Sequence, residues 1–242
     1  MKLLQIILVG LTAFSSCTKK ADNNIIINIS KPDSIKTMAA TDSITYLALG
    51  DSYTIGESVP LYDSYPYQLT GLLRAKSYNV QTPTIIATTG WTTAELIGAI
   101  GRSDINNKKF NFVTLLIGVN DQYQHKSQST YRTEFAQVLN TAINFANGDS
   151  SKVFVLSIPD YGVTPFAAGQ DAVIGPVIDQ FNAINKDESQ KRGVNYLDIT
   201  DISRLAAVNP SLIAGDGLHP SAAMYGKWMQ RLEPLVEAQL KK

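Results

Sequence analysis

Short apolar runs bounded by glycine, proline or small polar residues recur along most of the chain, and between them lie longer stretches with helical spacing. The runs predict strands over 44–50, 83–88, 111–117, 152–158 and 194–198. The intervening stretches predict helices near 64–77, 92–101, 130–147, 172–191 and 221–240. Strand and helix alternating in this way is the pattern of βαβ units and a parallel sheet. Val113-Thr114-Leu115-Leu116-Ile117 and Val153-Phe154-Val155-Leu156-Ser157 are nearly continuous in apolar residues, as expected when helices cover both faces of the sheet. The last helix carries Met224, Trp228, Leu232, Leu235, Val236 and Leu240 as a core stripe, with Pro234 expected to kink it or start a second short helix.

Several of these runs end in residues that carry chemistry. The first runs into Gly50-Asp51-Ser52, the second into Gly90 and the third into Gly118-Val119-Asn120-Asp121. In an open parallel sheet, ligands bind beyond the carboxyl ends of the strands, so residues far apart in sequence would gather there. A serine hydroxyl is a weak nucleophile and needs a base within reach and a third group to orient that base. The chain has two histidines, and His219 stands in Asp216-Gly217-Leu218-His219-Pro220, three residues after a carboxylate. Asp216 holding one imidazole nitrogen protonated would leave the other free to take the Ser52 proton. The backbone N–H groups of Ser52 and Gly90 and the Asn120 amide would supply donors for an oxyanion.

Each piece has a plainer reading by itself. Gly, Asp and Ser are turn formers, Asp216 suits a cap for the C-terminal helix, and Gly90 and Asn120 suit turns and loop tips. Gly-Asp-Ser alone is expected by chance in about one chain in twenty of this length. The set, in this order, is far rarer. His125, in the polar stretch 122–127, reads as an exposed loop residue.

Gly50-Asp51-Ser52, Gly90, Gly118-Val119-Asn120-Asp121 and Asp216-Gly217-Leu218-His219 together resemble, in order, the four sequence blocks of the SGNH (GDSL-type) hydrolase family. The resemblance spans roughly residues 44 to 235. It implies an α/β fold of three layers, α/β/α and flavodoxin-like, on a mostly five-stranded parallel sheet, and hydrolysis of an ester through an acyl-enzyme. Tyr53 stands where many members have leucine, and Thr88-Thr89 precede Gly90 without the asparagine often found there; Trp91 follows it. The expected substrates are lysophospholipid, short-acyl or thioester compounds, with a carbohydrate O-acetyl ester as the alternative. A non-catalytic glycan- or lipid-binding module is the reading of another class. The loop 159–169 opens on the same edge, so Tyr161 and Phe166, with Tyr53 and Trp91, are candidate pocket walls; a loop packing its own aromatics fits Tyr161 and Phe166 as well.

Composition narrows the partners. With 44% apolar and 17% charged residues over 242 positions, the chain suits one domain with a sizeable core plus an N-terminal segment. Net charge is zero, and lysines and arginines are scattered without the basic stripe of a nucleic-acid binder. Phosphate-cradling, dinucleotide and zinc-type motifs are missing, and neither a cofactor nor a metal is expected. Residues 1–16 have the layout of an export signal: Lys2, an apolar run, then Phe14-Ser15-Ser16. With Cys17, the chain's single cysteine, the last of these resemble the lipobox of bacterial lipoproteins. That resemblance implies an exported protein of the cell envelope, lipid-anchored at Cys17. Residues 17–43 read as a flexible tether of roughly 25–30 Å root-mean-square span, with Ile25–Ile29 as a short strand or sticky patch, and 44–242 as the hydrolase domain.

Overall fold

The computed structural model describes residues 43–242. The expected signal (1–16), Cys17, the Ile25–Ile29 patch and all but the last residue of the tether lie outside the described residues. The chain runs β1 (Tyr46–Gly50), α1 (Ser52–Ile55), α2 (Tyr65–Ala75), β2 (Thr84–Ala87), α3 (Thr93–Arg102), β3 (Phe112–Leu116), α4 (Val119–Tyr123), α5 (Gln128–Phe145), β4 (Val153–Leu156), α6 (Asp171–Lys191), β5 (Asn195–Leu197), α7 (Thr200–Arg204) and α8 (Ala222–Leu240), with short 3₁₀ turns between.

The five strands form one parallel sheet in the order β2-β1-β3-β4-β5. Helices cover it as α2 against α8 and as the series α3, α5, α6, giving the expected α/β/α sandwich. The central strands β1, β3 and β4 are buried along their whole length, whereas the edge strands β2 and β5 are half-buried. After β1 the chain steps outward to β2 and then returns to the other side of β1 for β3. That reversal is the switch point at which such sheets open a crevice. Gly50 pairs with Ala87 on one side and Leu116 on the other, so the ends of three strands are level and the residues following them share one edge.

Local chemistry explains where the helices begin. Thr92 caps α3 by a reciprocal capping box with Glu95, and Ser127 starts α5 two residues before the predicted boundary by accepting a bond from the Thr130 N–H. Three short helices, α1, α4 and α7, were not foreseen; each is a turn or so long, too short for a periodic signal. In α8 no second helix starts at Pro234, and Leu235 departs from the expected core stripe. Helix α8 is continuous through Pro234, which sits on its exposed face, where the carbonyl its ring frees can meet water. Leu235 is 40% exposed, while Met224, Trp228, Leu232 and Val236 are buried at spacings of four. A residue three after Leu232 falls to the edge of the stripe that i+4 spacing defines.

Candidate active site

Ser52 is the first residue of α1, at the sharp turn out of β1. Gly50 makes that turn possible: a Cβ there would stand 2.1 Å from Thr54 Oγ1 and 2.3 Å from the Leu116 carbonyl oxygen. Asp51 caps α1 by accepting the Tyr53 N–H at 3.0 Å. Its carboxyl is buried, which pushes it up to about 8; the Tyr53 N–H works against that rise and the nearby Asp121 adds to it.

The base and its orienter come from one tight turn. Asp216 Oδ1 accepts the backbone N–H groups of Leu218 at 2.9 Å and His219 at 3.0 Å. Its Oδ2 meets His219 Nδ1 at 2.5 Å and accepts from Ser58 Oγ at 2.7 Å. Burial by itself would raise the Asp216 carboxyl, but these hydrogen bonds prevail and hold it well below the usual carboxylate range. Ser221, not Asp216, caps α8 through the Met224 N–H, because Asp216 is already committed inside its own turn.

Ser52, Gly90, Asn120 and His219 line one cavity of about 160 Å³. Gly90 has φ of +85° and open space at its Cβ position, a backbone conformation that favours glycine. Asn120, half-buried, spends one amide hydrogen on the Trp91 carbonyl at 2.9 Å and keeps a second for a ligand. Beside it the fully buried Asp121 accepts the Thr93 N–H and Oγ1 at 2.8 and 2.9 Å and pairs with Lys126 at 2.8 Å. Consecutive residues of α4 therefore tie down the segment that follows Gly90. A nucleophile, a base with its orienter, and donors around a small cavity are the parts needed for acyl transfer.

Residues 48–227 match the model of the GDSL-like Lipase/Acylhydrolase family. The chain belongs to that family. No curated protein sequence matches it. Among solved structures, a family 3 carbohydrate esterase from Clostridium thermocellum is similar with a TM-score of 0.64 at 19% identity, covering 82% of this chain and 98% of its own. TesA gives 0.63 at 16% identity, with 81% and 99% covered. An acetylxylan esterase from Geobacillus stearothermophilus gives 0.62 at 15% identity, with 80% and 94% covered. At such identities these likenesses show the fold. Family and fold together make this GDSL-like protein an ester-hydrolysing enzyme.

The remaining candidates divide. Tyr53, Tyr161 and Phe166 line the cavity of the GDSL-like hydrolase, and Tyr53 sets its ring edge-on to the His219 imidazole, 5.7 Å between centroids. Trp91 is not among the lining residues. Its ring packs against the core while its carbonyl faces Asn120. His125 is exposed. Sequence reasoning missed Ser58, which lies in a polar loop with no distinguishing pattern and reaches Asp216 only through the fold. It also missed Thr89, Val119, Tyr123 and Leu218, which complete the cavity; all but Tyr123 were hidden inside or beside the motif blocks.

Proposed function

We propose that this enzyme is a serine esterase of short-acyl carboxylic esters, acting through Ser52, His219 and Asp216. Ser52 Oγ attacks the ester carbonyl and its proton passes to His219 Nε2. The negative charge that develops on the carbonyl oxygen is held by the N–H groups of Ser52 and Gly90 and by the Asn120 amide. As the bond to the alcohol breaks, His219 returns the proton to the leaving oxygen, and the acyl group stays on Ser52. Water then attacks the acyl-enzyme, giving its proton to His219, and the acid leaves as the proton returns to Ser52 Oγ. Asp216 keeps the ring proton on Nδ1 and stabilises the imidazolium.

The observation that carries this reading is the Asp216–His219 pair, 2.5 Å apart and anchored by two backbone N–H groups, opening onto the cavity that Ser52 lines. Acyl size follows from volume. About 160 Å³ is well below the roughly 300–1,000 Å³ of pockets that enclose drug-sized ligands, so the acyl part is small. A fluorophosphonate probe should label Ser52, as read by mass spectrometry, and labelling should vanish in Ser52→Ala; an adduct on another serine overturns the assignment.

The proposed setting is the bacterial cell envelope, with the mature chain beginning at a lipidated Cys17 and residues 17–43 tethering the domain. A single acyl chain binds membranes only marginally, whereas two or more anchor stably, so a diacylated Cys17 would hold the enzyme at a membrane surface. Cys17→Ala should move the enzyme from the membrane to the soluble fraction without changing its specific activity. Equal partitioning of the two proteins rejects the anchor and leaves the esterase reading intact.

A further inference from the structure

A second, larger cavity of about 850 Å³ lies on the other side of three shared residues, Tyr123, Tyr161 and Phe166. Its size falls within the range that encloses whole ligands. The Tyr123 ring contacts both of the others, with ring centroids 6.2 Å from Tyr161 and 6.3 Å from Phe166. Tyr123 and Phe166 remain 54% and 52% exposed, so both rings are open to a ligand in the groove.

The walls of this groove are chemically unlike each other. One wall is the first half of α6, presenting Val173, Ile174 and Val177. The other is α4, the loop after it and the start of α5, presenting His125 and Gln128 beside Gln122, which is buried and accepts the Tyr161 hydroxyl. A lipid chain laid in the groove would strip water from the exposed Gln128 and Gln170 amides without replacing those hydrogen bonds, at a cost of about 1–3 kcal/mol for each group left unpaired. A phosphate headgroup fares no better. Lys126 is the lining residue with a permanent charge, and it is already claimed by Asp121 at 2.8 Å and Glu134 at 2.7 Å, a trio whose net charge is negative. A sugar ring meets both walls: its C–H faces suit the aromatic and aliphatic side, and its hydroxyls suit the amides.

We propose that this groove is the alcohol-side subsite and that it holds the neutral sugar chain of an O-acylated oligosaccharide, with the acyl group seated in the small cavity beside Ser52. The proposal rests on the reading of Ser52 as the nucleophile. The aromatic trio then marks the boundary between acyl and sugar, and the ester bond lies across it.

The test compares substrates on the full-length enzyme and on Val173→Trp. Val173 is 68% exposed, so a larger side chain there narrows the groove without entering the core. Wild-type kcat/KM should rise about tenfold or more, the equivalent of about 1.4 kcal/mol of added binding, as acetylated xylo- and manno-oligosaccharides lengthen from one sugar to four. Val173→Trp should remove most of that gain, read as the ratio of kcat/KM for the tetrasaccharide to that for p-nitrophenyl acetate. Hydrolysis of p-nitrophenyl acetate with no gain from sugar length in either series overturns the subsite while leaving Ser52 in place. A gain from acyl length instead, on p-nitrophenyl esters from acetate to decanoate and lost in Val173→Trp, also overturns it and assigns the groove to the acyl chain. Failure to hydrolyse any ester, with Ser52 unlabelled by fluorophosphonate, refutes the underlying reading instead.

Discussion

Replacing Asp216 by asparagine separates an orienting carboxylate from a merely structural one. The carboxylate accepts four hydrogen bonds, two backbone N–H groups on Oδ1 and the Ser58 hydroxyl and His219 Nδ1 on Oδ2. The backbone donors cannot turn away, so asparagine keeps its oxygen on Leu218 and His219 and places its NH₂ where Oδ2 stood. That NH₂ donates to His219 Nδ1. The ring proton is thereby forced onto Nε2, the nitrogen that must accept from Ser52, and the charge that stabilised the imidazolium is gone. In Ser-His-Asp triads this exchange costs about 10⁴ in turnover, and we expect a fall in kcat of roughly 10³–10⁴, or about 4–5.5 kcal/mol, on p-nitrophenyl acetate with KM little changed. The fold should survive, since the turn keeps its backbone bonds and the Ser58 hydroxyl can rotate to a new role. Asp216→Ala supplies the control: if Asp216 acts only by holding the turn, alanine should be far worse than asparagine, whereas control of the ring proton makes the two comparably poor. Asp216→Asn within tenfold of wild type would refute the triad. Because the Asp216 carboxyl lies well below the usual range, it stays ionised as pH falls past the point where an ordinary aspartate is protonated. Its contribution to stability is therefore present above the unfolded aspartate value and lost only in stronger acid.

Asn120→Ala should lower kcat about a hundred- to a thousandfold, the usual cost of an oxyanion donor; an effect confined to KM would move Asn120 to substrate positioning. Gly50→Ala should lose on the order of 3 kcal/mol or more by overpacking against the Leu116 carbonyl, whereas Gly90→Ala, with open space but positive φ, should lose only about 1–2 kcal/mol, both read by thermal melting. Equal melting points for the two variants would show that the turn at Gly50 tolerates a side chain. Asp51, pushed up to about 8 in the folded protein, binds more protons folded than unfolded between about pH 4 and 8, so it makes stability fall as pH rises through that window. Asp51→Asn keeps the cap oxygen and removes the charge, and it should raise Tm by a few degrees at pH 8 and by less at pH 5; a Tm change independent of pH would refute the buried-charge account.

Much of this enzyme was legible before any fold was known. Apolar runs located all five strands to within one or two residues at most ends, because strands buried on both faces leave an unbroken local signal, as in Phe112–Leu116. The candidate residues were legible for a related reason: Ser52, Gly90 and Asn120 each follow a strand, and a parallel sheet brings all its carboxyl ends to one edge. His219 and Asp216 needed only a three-residue turn. What tertiary structure decided lies in contacts without a local signature. Ser58 meets Asp216 across 158 residues of sequence, and Asn120 turns one amide hydrogen to the Trp91 carbonyl across 29, which makes Trp91 a backbone partner instead of a pocket wall. Leu235 reads as core by composition and is exposed because the neighbours of α8 cover only the i+4 stripe. The groove beside the aromatic trio joins α4 and its following loop to α6, and no periodicity along either segment encodes that meeting. Local pattern determines which residues can form an element and what chemistry stands at its end; which side chains then share a cavity depends on packing between elements distant in the chain.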